Sequence, residues 1–287
     1  MKVAVMVDTN SGIFKQDGES MGVFVMPMPV VINEETYYEG ENLTLDTFFE
    51  HLIGGDYVTS SQPAPGALIE MWEHILKSGY DEIVYIPMSS GLSGSCQSAI
   101  MLSEEFDGKV HVVNNQRISV TQRQSALDAK LLVSRGMGAA EIKDFLEKDK
   151  FNSSIYIMLD TLYYLKKGGR ITPAAAAIGT MLKLKPVLTI QGEKLDAFAK
   201  ARTTNQGKTI MINAIRNDME NRFGGAGADN IWLQVAYTKD EEAMKQFVKE
   251  LEKEFPGFDI VANPLSLSVA CHIGPGALAV ACCKKIK

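Results

Sequence analysis

The chain has 287 residues, 46% hydrophobic and 22% charged, which is ordinary globular composition with enough apolar material for one large or two medium domains; two are expected. A net charge of −6 argues against a general nucleic-acid binder, because neutralising phosphates requires a basic face. No apolar run approaches the roughly 20 residues of a bilayer span. The opening residues enter a strand-like segment without the charged and apolar regions of a signal peptide, so a cytoplasmic location is expected.

Lys2-Val3-Ala4-Val5-Met6-Val7 reads as a strand buried on both faces, ending at the polar turn Asp8-Thr9-Asn10-Ser11-Gly12. A helical stretch over 66–78 leads to a strand over 83–86. A helix starting near Gly94 then leads to a strand over 110–113. Such alternation predicts a parallel α/β sheet. Helical spacing continues over 121–135 and 139–148, and a strand over 155–159 opens the second domain. That half reads as a strand over 186–190 turning at Gln191-Gly192-Glu193, a helix over 204–221, a glycine-rich loop at 224–227, a strand over 231–237, a helix over 241–255 and a strand over 266–271.

In open α/β sheets, ligands gather beyond the carboxyl ends of the strands, where free helix N–H groups attract anions. Ser89-Ser90-Gly91-Leu92-Ser93-Gly94-Ser95 falls at such a place. Its glycines admit close backbone approach, and Ser93 or Ser95 offers a hydroxyl donor. The same residues also favour a helix N-cap for local reasons, and both readings stand at this point. A serine-hydrolase elbow requires G-x-S-x-G, whereas Gly91-Leu92-Ser93-Gly94-Ser95 has serine in the last glycine position.

Two further loops carry similar chemistry. Thr59-Ser60-Ser61-Gln62-Pro63, followed by Ala64-Pro65-Gly66, is a tight entry into a helix and by itself a capped turn. In Cys271-His272-Ile273-Gly274-Pro275-Gly276 a strand is expected to end at His272, before a Gly-Pro-Gly turn. A histidine there is structural, or a donor if an anion lies near. Three such loops, with no fixed positive charge evident beside them, suit a carboxylate better than a polyphosphate, and no Gly-x-x-x-x-Gly-Lys-Ser/Thr pattern is present.

Lys166-Lys167-Gly168-Gly169-Arg170, with Lys183 and Lys185, concentrates positive charge either as a solvated face or as a docking patch for an acidic surface or lipid headgroups. The run Ala174-Ala175-Ala176-Ala177 is either ordinary packing or a place where a lipid passes close to a helix. Cys96, Cys271, Cys282 and Cys283 show no CxxC spacing and read as reduced thiols. His51, His74, His111 and His272 are scattered without metal-ligand spacing, so neither a metal nor a cofactor is expected.

Taken in order, Asp8-Thr9, Ser60-Ser61-Gln62-Pro63, the Ser89–Ser95 turn, Leu165-Lys166-Lys167-Gly168-Gly169-Arg170-Ile171, Lys183-Leu184-Lys185-Pro186, Lys200-Ala201-Arg202-Thr203 and His272-Ile273-Gly274-Pro275-Gly276 resemble the DegV family, the fatty-acid-binding subunits of the bacterial fatty acid kinase system. The resemblance implies an N-terminal, Rossmann-like parallel-sheet α/β domain over 1–152 and a C-terminal α/β domain with a mixed or antiparallel sheet over 153–287. A long-chain fatty acid would lie between them. Its carboxylate would be held around Ser60, Ser61, Ser93, Gly94, His272 and Gly276, while Arg170 and Lys167 dock a partner. By the same resemblance the chain is not an enzyme: it presents the bound acid to a separate ATP-dependent kinase, whose acyl phosphate feeds phospholipid synthesis, with at most transient membrane contact. The competing reading is a Ser/His hydrolase or phosphotransfer subunit using Ser93 and His272.

This sequence departs from the family pattern at several places. Ser60 replaces the usual threonine, keeping the hydroxyl and losing a methyl group. Cys96 stands where an aromatic is common, and Asn114-Asn115 and Thr121-Gln122-Arg123 replace Asp-Ser and a glycine pair.

Overall fold

The computed structural model describes residues 2–172 and 184–286. The run Ala174–Ala177 and Lys183 lie outside the described residues. In chain order the strands are β1 (Val3–Asp8), β2 (Phe24–Met26), β3 (Pro29–Ile32), β4 (Glu35–Tyr38), β5 (Val58–Ser60), β6 (Glu82–Ile86), β7 (Val110–Val112), β8 (Ser153–Met158), β9 (Lys185–Ile190), β10 (Asp196–Ala201), β11 (Ile231–Tyr237), β12 (Val261–Pro264) and β13 (Leu278–Lys284). They form a parallel four-stranded sheet of order 2-1-6-7, a small antiparallel sheet of order 4-3-5, and a mixed six-stranded sheet of order 10-9-8-13-11-12. In the six-stranded sheet β11 and β12 run parallel and the other neighbours antiparallel. The expected α/β class, with a parallel Rossmann-like sheet followed by a mixed sheet, is what the chain adopts.

The parallel sheet is covered on both faces, which is why β1 reads as an uninterrupted apolar run. Val3, Val5, Val7, Val84 and Ile86 pack on the helices Ser119–Ser134 and Ala139–Lys148. Their alternate neighbours Ala4, Met6, Ile83 and Tyr85 meet the helices Pro65–Lys77 and Ser95–Ser103. Trp72, fully buried, sits edge-on to Tyr85 and Phe106 at ring separations of 6.0 and 5.3 Å.

The six-stranded sheet is covered unequally. On one face Tyr156, Val187, Leu233, Val235 and Val280 pack against the two long helices Thr204–Asn221 and Glu241–Glu254. On the other face Ile155, Ile157, Leu188, Ala236 and Ala279 meet Ile118 and Val120 from the N-terminal half and the seven-residue helix Leu267–Ile273. The helix Ser119–Ser134 lies between the two large sheets, and ten of its 16 residues are buried, leaving a narrow outer stripe through Arg123, Leu127, Lys130, Leu131 and Ser134.

Two sequence expectations are corrected. Residues 267–273 form a helix, preceded by extended Ser266, where a strand over 266–271 is expected. Six of the seven residues are buried, so the helix has no amphipathic stripe, and a short apolar run of that kind carries no period that separates helix from strand. The segment from 14 to 58, which shows no element by pattern, supplies β2 to β4 and the helices Lys15–Met21 and Leu45–Gly54.

The fold makes one stability expectation concrete. Trp72→Ala removes the largest fully buried side chain from the outer layer of the parallel sheet and should cost about 3–5 kcal/mol, read as a lowered urea midpoint.

Candidate ligand-binding site

The carboxyl ends of β1 and β6 face the poorly covered side of the six-stranded sheet, and a buried carboxylate fixes the loops between them. Asp8, fully buried, accepts the Met88 N–H at 2.9 Å, the Gln122 side-chain amide at 2.9 Å and the Asn10 N–H at 3.1 Å. Burial raises its pKa to about 6 despite these donors. Gln122, one of the departures from the family pattern, also donates to the Ile86 carbonyl at 3.0 Å. Asn115, another departure, is fully buried and donates to Ser125.

The serine turn then crosses to the second sheet. Ser89 donates its hydroxyl to the Glu193 carbonyl at 2.7 Å, and a side chain at Gly91 would strike the Glu193 backbone, so only glycine allows this approach. Ser93 accepts the Ser95 N–H at 3.2 Å and also lines a cavity; Gly94 is the N-cap of the helix Ser95–Ser103 and no side chain caps it, so the serine belongs to the turn and the cavity wall.

That cavity lies between the two large sheets. Its apolar wall includes Ile118, Val120, Ile155, Ile157, Leu265 and Val269. Ser60, Ser61, Gln62, Ser93, Arg170 and His272 lie on its polar wall. Ser60 ends β5 on the small sheet, and its Oγ lies 2.9 Å from His272 Nε2 in the last turn of the Leu267 helix. Three elements far apart in sequence thereby place hydroxyls and an imidazole on the wall of one apolar space.

Burial first, and then the Arg170 guanidinium, lower the His272 pKa to about 4. The ring is therefore neutral at neutral pH. If Nε2 carries the hydrogen and donates to Ser60 Oγ, the serine proton is free to point at a ligand. His272 bonds Ser60 rather than Ser93, and no described carboxylate orients the ring, so the Ser93/His272 pairing needed for a hydrolase is not formed among the described residues.

Gly94 and Gly276 are not on the wall. Gly94 lies beside Gln62. Gly276, at φ 78°, packs its Cα against the Asp160 carboxylate, as Gly274 packs against the Tyr164 ring and Gly168 against His272. Those glycines hold the helix Tyr163–Gly168 close to the Leu267 helix. Lys167 extends its ammonium over the Tyr57 ring at 5.5 Å, away from the wall. Arg170, by contrast, reaches the cavity, so a fixed positive charge stands beside the three loops where none is evident in the sequence. Asn10, Met88, Ser119 and Ser268 also line it; nothing in their local sequence marks them.

Among the described residues no His, Cys, Asp or Glu group is arranged to hold a metal ion, and no helix is long and apolar enough to cross a membrane. All four cysteines are buried and unpaired.

A parallel Rossmann-like sheet facing a mixed sheet across an apolar cavity, with serine hydroxyls and a histidine on its wall, defines a two-sheet α/β protein. The family model described as "Uncharacterised protein, DegV family" matches residues 2–285. Protein DegV of Bacillus subtilis (strain 168) is 30% identical over 289 residues, covering 99% of this chain and all of that one. Among solved structures, a DegV family protein from Thermus thermophilus described by its fatty acid binding superposes with a TM-score of 0.89 at 29% identity, over 99% of this chain and 100% of that one. DegV from Bacillus subtilis, described as a fatty acid binding protein, gives 0.86 at 29% identity, with the same coverage of both chains. The chain belongs to the DegV family.

Two titrations follow from the geometry. In ligand-free protein the His272 ring should titrate by NMR near pH 4; a midpoint near 6.5 would mean a solvated ring. Glu39 accepts the Leu267 N–H at 2.7 Å at the start of the histidine-bearing helix, and burial pushes its pKa to about 7. The folded state binds this proton more tightly than the unfolded chain, so the contribution of Glu39 to stability is lost as pH rises from 4.5 through about 7. Glu39→Gln should therefore gain on wild type across that interval, measured as the difference in urea midpoints.

Proposed function

We propose that this chain is a non-catalytic carrier that binds a long-chain fatty acid in the cavity, with the carboxylate at Ser60, Ser61, Ser93 and His272. Gly94 shapes the serine turn, and Gly276 keeps the histidine-bearing region in place. The N-terminal domain, 1–152, supplies the serine loops with Ile118 and Val120; the C-terminal domain, 153–287, supplies His272 and the sheet face that forms the rest of the apolar wall. The observation that carries this reading is the Ser60–His272 pair on the wall of a largely aliphatic cavity, with Ser61, Ser93 and the Arg170 cation on the same wall and the imidazole neutral.

Each buried methylene of the tail contributes about 0.8 kcal/mol, so an acyl chain supplies most of the affinity. A carboxylate removed from water needs compensating donors, and the serine hydroxyls provide them while Arg170 adds attraction at short range. Gly168, between Lys167 and Arg170, packs against His272, so the basic stretch adjoins the Ser60–His272 pair. We assign this basic stretch to docking the separate ATP-dependent fatty acid kinase that would receive the presented carboxylate for acyl-phosphate formation and phospholipid synthesis. The carrier would work in the cytoplasm and meet the membrane only transiently.

Organic extraction of purified protein followed by mass spectrometry is expected to return one fatty acid per chain. Lipid-free protein that also fails to bind palmitate overturns the reading. Ser60→Ala and Ser93→Ala should each weaken palmitate binding roughly tenfold to a hundredfold, as expected for removing a hydrogen bond to a charged group. Binding of the palmitate methyl ester should change less. Added kinase should then form acyl phosphate with the wild type and far more slowly with the double variant.

A further inference from the structure

The cavity wall carries a second set of polar groups that the carboxylate reading does not use. Asn10, Ser119 and Ser268 all line it and are only 2%, 6% and 5% exposed. They come from the tight turn after β1, the first residue of the helix Ser119–Ser134 and the start of the Leu267 helix. Ser268 lies four residues before His272 on the same helix, so it sits about one turn further along the same face.

Two of the three have hydrogen-bonding capacity to spare. Ser268 donates to Asn10 Oδ1 at 2.7 Å and meets Ser266 Oγ at 3.1 Å, so it holds the Asn10 amide in place. The Asn10 side-chain NH2, which has two hydrogens to give, finds the Met88 thioether at 3.1 Å, a weak acceptor. The Ser119 hydroxyl has no hydrogen-bond partner among the described residues. Around them the wall is Ile118, Val120, Leu265 and Val269. Against a plain hydrocarbon tail these groups would lose water and gain nothing, which is a cost that buried polar groups in proteins rarely carry.

The chemistry of the gap is specific. It offers an amide donor and a hydroxyl able to donate or accept, and so suits a neutral group that does both. A second carboxylate is disfavoured there, because the Asp8 carboxylate is held against the Asn10 N–H at 3.1 Å. We propose that the cavity selects acyl chains bearing a hydroxyl near their carboxyl end, and that Asn10, Ser119 and Ser268 form the subsite that reads it. This inference rests on the fatty-acid reading of the cavity and names the class of acid it prefers.

The test compares dissociation constants of delipidated wild-type protein for 3-hydroxyhexadecanoate and hexadecanoate by displacement of a fluorescent fatty acid. The hydroxy acid is expected to bind about fivefold more tightly, the worth of one neutral hydrogen bond. In Ser119→Ala and in Ser268→Ala the ratio of the two constants should fall towards one, and 16-hydroxyhexadecanoate should show no gain in the wild type. Equal binding of the 3-hydroxy and parent acids by wild type, as an ordered water filling the subsite would produce, overturns this inference alone. If neither acid binds, the fatty-acid reading falls and this inference with it.

Discussion

Asp8 ends the first strand with a carboxylate wholly removed from water, and three separate pieces of chain are tied to it: the Asn10 turn, the start of the serine loop at Met88 and the central helix through Gln122. Its raised pKa, about 6, shows that the donors do not fully offset the loss of hydration. A buried carboxylate is tolerated there because each oxygen is met by N–H groups of fixed geometry, and that geometry fixes the loops in return. The serine turn can reach the Glu193 carbonyl, and Asn10 the cavity, because this anchor sets where both begin.

The cavity follows from unequal coverage of the second sheet. One face is sealed by helices of 18 and 14 residues whose large side chains interdigitate with the strands. The opposite face presents small residues, with Ala236 and Ala279 directly paired across β11 and β13 and Ala279 opposite Ile157 on β8. Above them stand a seven-residue helix and loop residues from the other half of the chain. Side chains of that size and number leave room beside the sheet, and apolar lining makes the room suited to an aliphatic guest.

Glycines in the family motifs act mainly through packing. Gly91 lets the serine turn meet Glu193, and Gly168 lets the basic helix end approach His272. Positioning of His272 therefore depends on the segment that bears Lys167 and Arg170, although the two are about a hundred residues apart in sequence. Arg170 lines the cavity, where its charge adds to burial in lowering the histidine pKa.

The sequence by itself determined the alternation of buried strands and helices, the helix 204–221 and strand 231–237 to the residue, and the loops that carry hydroxyls, because those signals are local: periodicity, turn chemistry and capping. It misread 266–271, since a short helix buried all round leaves no periodic trace. It also gave Asn10, Ser119 and Ser268 no role, because each is an ordinary polar residue until the fold removes it from water. Only tertiary structure decided that Ser60 pairs with His272 across 212 residues, that Arg170 enters the cavity, and that an uncovered sheet face leaves a space between them. The physical reason is that burial and charge proximity are properties of the packed chain, and neither is encoded in any one segment.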